Sequence, residues 1–149
     1  MFVKRYALGS LVVLLAVGFL GLARAETTVG PQLGTWELVG KDKREWKATL
    51  VFTKRIGTKY EGYFKWLALS GEPSSGHEPF EGIFNPTTRL ITLKGLDMQD
   101  KTGNIATGSI YEATVSEDGY HLRDGKWFGQ NVLPGTWTAI WKNGDTPKP

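Results

Sequence analysis

From Gly34 onward the apolar residues of this chain recur at every second position, and no stretch of about ten residues offers a helical face. Trp46, Ala48, Leu50 and Phe52 alternate with Lys47, Thr49, Val51 and Thr53. Tyr60, Gly62, Phe64, Trp66 and Ala68 alternate with Glu61, Tyr63, Lys65 and Leu67. The same period runs through Ile91 and Leu93, through Tyr111, Ala113 and Val115, and through Gly135, Trp137, Ala139 and Trp141. A period of two is that of a strand with one face buried. Turn chemistry separates the runs: Arg55-Ile56-Gly57-Thr58, Asn85-Pro86-Thr87-Thr88 and Glu117-Asp118-Gly119 are all of hairpin size. Gly71–Gly76 and Asp97–Asn104 read as longer loops, with Gly71–Pro79 and Asp97–Asn104 as the segments most able to contact a partner. The expected fold is all-β: about eight short antiparallel strands in an up-and-down meander. Closing such a sheet into a barrel removes both exposed edges; a β-sandwich is the alternative.

The first 25 residues follow another logic. Lys4 and Arg5 precede an apolar run from Tyr6 to Leu22, which ends in Ala23-Arg24-Ala25. That is the pattern of a secretory signal peptide cut after Ala25, leaving residues 26–149 as one domain with a loose tail. An uncleaved membrane anchor is the alternative, because Ala7–Ala23 approaches the length of a span. Three of the 18 basic residues lie in this segment and none of the 15 acidic ones, so the remainder has a net charge of zero. A neutral domain has no electrostatic footprint for nucleic acid, and no stable membrane insertion is expected after cleavage. The expected location is secreted or periplasmic. The chain has no cysteine, which excludes disulfides, thiolate metal sites and a cysteine nucleophile.

A Gly-x-aromatic unit recurs at Gly34-Thr35-Trp36, Gly62-Tyr63-Phe64, Gly82-Ile83-Phe84, Gly125-Lys126-Trp127 and Gly135-Thr136-Trp137. In a strand the two outer residues share a face, so a bulky ring stands beside the gap that a glycine leaves. With Gly34-Thr35-Trp36 on the first strand of an eight-stranded meander, the chain resembles the lipocalins and the wider calycin group. The resemblance implies a barrel that carries a small hydrophobic ligand. It rests on that motif and the strand count. The last strand carries no arginine to lie over Trp36, Arg123 stands one strand earlier, and there is no Thr-Asp-Tyr motif.

Enzyme signatures are weak. His77 and His121 lack the spacing of a zinc site, and Asp97, Asp100 and Asn104 lack that of a calcium loop. Ser74 and Ser75 miss the Gly-x-Ser-x-Gly elbow, and Glu78 and Glu81, three apart, face opposite sides of a strand. No catalytic residue, metal or cofactor is therefore expected, and the chain reads as a non-enzyme. The aromatic rings expected to point inward, and so to line a ligand site, are Trp36, Phe64, Trp66, Phe84, Tyr111 and Trp137. The expected function is binding of a small apolar ligand. The alternative is a protein-interaction or inhibitor module that uses the barrel loops. A third reading, a barrel enzyme, would use one interior acid or Tyr111 for proton transfer.

Overall fold

The computed structural model describes residues 28–103 and 105–145. The signal-peptide reading of residues 1–25, Asn104 and the last four residues of the tail lie outside them. The described chain forms nine strands: β1 (Gly34–Lys41), β2 (Glu45–Ile56), β3 (Lys59–Ala68), β4 (Ser75–Phe84), β5 (Leu90–Gly95), β6 (Gln99–Thr102), β7 (Ile110–Val115), β8 (His121–Phe128) and β9 (Gly135–Asn143). All pairings are antiparallel, in the order β3-β2-β1-β9-β8-β7-β5-β4, and a further β3–β4 pairing closes the ring. The fold is thus an eight-stranded up-and-down barrel, not a sandwich. β6 stands outside the ring and pairs with the early part of β4 through Ser75↔Thr102 and His77↔Gln99.

Two expectations about loops are corrected here. β4 begins at Ser75, within the segment read as a loop through Gly76, and continues through Pro79. Asp97–Asn104 contains β6. Pro79 has no N–H to give to a ladder, but its carbonyl accepts from the Leu96 backbone N–H at 2.8 Å.

The alternation read from the sequence decides what faces the interior. One row crosses four strands through the registered pairs Trp36↔Leu50, Leu50↔Phe64 and Phe64↔Glu78. Trp36, Leu50, Phe64 and Glu78 are all fully buried, so an acid occupies a place where its three row-mates are apolar. β8 carries an irregularity between Leu122 and Gly125, where Asp124 adopts a positive φ of 53°. This shift lets Leu122, Gly125 and Trp127 all face inward although their spacing is uneven. The Gly-x-Trp units of β8 and β9 then run past each other in register, pairing Gly125 with Trp137 and Trp127 with Gly135. A Cβ on Gly135 would fall 2.2 Å from the Trp127 ring, and one on Gly125 2.6 Å from the Trp137 ring. Each indole therefore takes the space the other unit's glycine leaves.

The two ends of the barrel differ. At one, the turns are short and the interior is filled by Trp36, Phe52, Tyr60 and Phe84. Residues 28–33 cross this end: Gly30 lies against the Tyr60 hydroxyl and the Phe84 ring, and Gln32 N–H donates to the Gly119 carbonyl. Arg89 ties the same end together by donating to the carbonyls of Val29, Val115 and Ser116, with its guanidinium 5.9 Å from the Phe84 ring centre. The other end carries the longer connections and stays open.

Candidate functional site

The open end holds a cavity of about 350 Å³, within the range of pockets that take small organic molecules. Its walls are the indoles of Trp46 on β2, Trp66 on β3 and Trp127 on β8, with Tyr111 on β7; Asp42, Arg44 and Lys101 stand at the rim. The rings form a box. Trp46 and Trp127 stand at 83° and 75° to Trp66, with centroids 6.1 and 5.9 Å away, and Tyr111 stacks on Trp66 at 5.8 Å. Perpendicular edge contacts suit the ring quadrupoles and hold the indoles in place. Trp46 is fixed further by its N–H bond to Asp42 Oδ1 at 3.1 Å and by the Arg44 guanidinium, 4.2 Å from its centre. Arg44 also donates to Ser74 Oγ at 3.0 Å, while Trp127 donates to the Leu133 carbonyl at 3.0 Å.

Behind the rings lies Glu78. Its Oε2 accepts from Trp66 Nε1–H at 3.0 Å and from the Tyr111 hydroxyl at 2.7 Å, and its Oε1 has no hydrogen-bond partner. Gly95 opposite makes room for the carboxyl: a Cβ there would fall 2.1 Å from Oε1. Burial pushes the Glu78 carboxyl up to about 7, against the opposing effect of the Tyr111 and Trp66 hydrogen bonds. The Tyr111 phenol is held well above its usual range, first by burial and then by the adjacent Glu78; Ser109 and Trp66 hydrogen bonds oppose the rise. Glu78 can therefore hold or release a proton near neutrality, whereas Tyr111 stays protonated. Among the described residues, no group of three His, Asp or Glu side chains could hold a metal ion.

All six rings expected to line a ligand site are buried, but they do not come together. Trp66 and Tyr111 face the cavity. Trp36, Phe64 and Phe84 are sealed in the core, at 0%, 0% and 1% exposure. Trp137 borders a separate, more open depression beside Gly40 and Gly125. The cavity instead recruits Trp46 and Trp127, which the same alternation and the Gly-x-aromatic unit already turn inward. In the sequence Glu78 stands out only as a pair with Glu81, which faces the other side of the strand, while the segment ending at Pro79 also reads as a partner contact. The alternation Gly76, Glu78, Phe80, Gly82, Phe84 continues across that proline and was the signal for it. No family model matches the chain, and no curated protein or solved structure does either.

Proposed function

We propose that this chain is a secreted or periplasmic binding protein of lipocalin-like, calycin type, holding a small apolar molecule in the open end of its barrel. The observation that carries the reading is the indole-walled cavity at one end of a barrel whose other end is packed solid. A filled barrel would need no such space, and interior rings left in contact with a cavity lose packing unless something occupies it. The reading is one of binding without a reaction.

An apolar probe or a fatty acid should quench tryptophan fluorescence saturably, with an affinity near the micromolar range, about −8 kcal/mol. Ala106→Trp fills the cavity from the loop before β7. It should weaken that binding at least about tenfold while the far-ultraviolet spectrum is unchanged. Absence of any saturable quenching sinks the proposal. The loop-borne protein-contact reading would then stand in its place, using residues 71–74 and the adjoining β6 at the same rim.

Export gives an independent check. Protein recovered from the medium or periplasm of a host that processes it should begin at Glu26 by intact mass. A membrane-bound product that keeps Lys4 and Arg5 would show the anchor instead.

A further inference from the structure

We infer that the mouth of the barrel is a site for an organic cation, an alkylammonium carried on an apolar body, caged by Trp46, Trp66 and Trp127 with Glu78 as the counter-charge beneath. This deepens the binding reading above and rests on it. Indole faces attract cations more strongly than other aromatic faces do, and quaternary ammonium groups are characteristically held in boxes of such rings. Two of the three indoles here donate their N–H to a carboxylate, Trp46 to Asp42 and Trp66 to Glu78, and Tyr111 donates its O–H to Glu78. A ring whose polar hydrogen is given to an anion gains electron density on its face, so these bonds strengthen the feature that holds a cation.

Charge balance points the same way. Glu78 is fully buried, has no cationic partner among the described residues, and has one oxygen without a hydrogen bond. A cation in the box would supply the missing positive charge through the rings, whereas an anion there would face the negative ring faces with Glu78 behind them. The groups against Glu78 are Trp66 from β3, Gly95 from β5 and Tyr111 from β7, with Ser109 bonded to Tyr111 beyond them. None of these is charged while Tyr111 keeps its proton. Asp42, Arg44 and Lys101 stand farther out at the rim. Arg44 already lies over Trp46, so the chain itself places a soft cation on one of these rings.

The test is a tryptophan-fluorescence titration of the full chain with benzyltrimethylammonium, its uncharged carbon isostere neopentylbenzene, and phenylacetate. At about pH 8, where Glu78 is ionised, the ammonium should bind at least about tenfold tighter than neopentylbenzene. That advantage should shrink to about threefold or less in Glu78→Gln, and likewise in the unaltered chain at about pH 5.5, where Glu78 is protonated. The pH arm decides alone if the variant does not fold. An advantage that survives both changes removes Glu78 from the site and overturns the inference. Equal binding of the isostere, or preference for phenylacetate, also overturns it and leaves the apolar-carrier reading intact. No saturable binding of any of the three overturns both.

Discussion

Trp36→Ala should lower the unfolding free energy by about 3–5 kcal/mol, the range for deleting a large ring from a packed core. Trp36 is wholly buried, meets Phe52 edge-on at 5.9 Å between centroids, and donates its N–H to the Gln32 carbonyl at 3.0 Å. Removing it leaves a hole at the filled end and an acceptor without its donor, in the segment that crosses that end. Gly34 adds a reason why the surroundings cannot collapse into the hole. Its φ is 109°, and a Cβ there would fall 2.2 Å from the Asn143 carbonyl oxygen, so the backbone is held close against the end of β9. Urea midpoints of the two proteins decide the matter. A loss below about 1 kcal/mol would mean that the ring contributes little to closing this end.

The second large effect is one of pH. The folded chain holds a proton on Glu78 up to about 7, while an ordinary carboxyl has released it above 4.5. Between those values the folded state binds more protons than the unfolded one, so stability falls as the pH rises across the window. It is fully present below the ordinary value and lost through about 7. The loss amounts to roughly 3 kcal/mol. Glu78→Gln keeps the shape and an acceptor for Trp66 and Tyr111 but cannot ionise. The variant should match the natural chain near pH 5 to within about 1 kcal/mol. Near pH 8 it should be the more stable by roughly 2–3 kcal/mol. Denaturant curves at the two values check this, and parallel movement of both proteins with pH would refute it. Glu37 and Asp118, whose carboxyls are held below their usual values by Lys142 and by Ser116 respectively, act only at lower pH.

The strand pattern was legible because one face of each strand packs into the core and the other meets solvent, so polarity alternates along each run. Ring closure was not written in any one segment. It depends on β3 and β4 pairing over nine registered positions, from Lys59↔Ile83 to Leu67↔Ser75, across a connection that reads as plain loop. β6 was invisible for the opposite reason: Gln99–Thr102 is polar throughout, and its place comes from the edge of β4, not from a buried face. The site was half legible. Period two and the Gly-x-aromatic unit turn these rings inward but cannot say at which height the barrel is filled, and that height separates Trp66 and Tyr111 from Phe64 and Phe84. Glu78 was legible as a strand residue, but weighed against Glu81 it gave no sign that its own side faces the interior.

Residues 28–33 and Asp145 lie at the pole opposite the cavity. Gly30 is lodged under Tyr60 and Phe84, and the Asp145 carbonyl accepts from the Thr35 hydroxyl at 2.6 Å. A surface linkage made through residues 28–33 or at Asp145 would hold the barrel by its sealed base and leave the indole box facing the bulk solution.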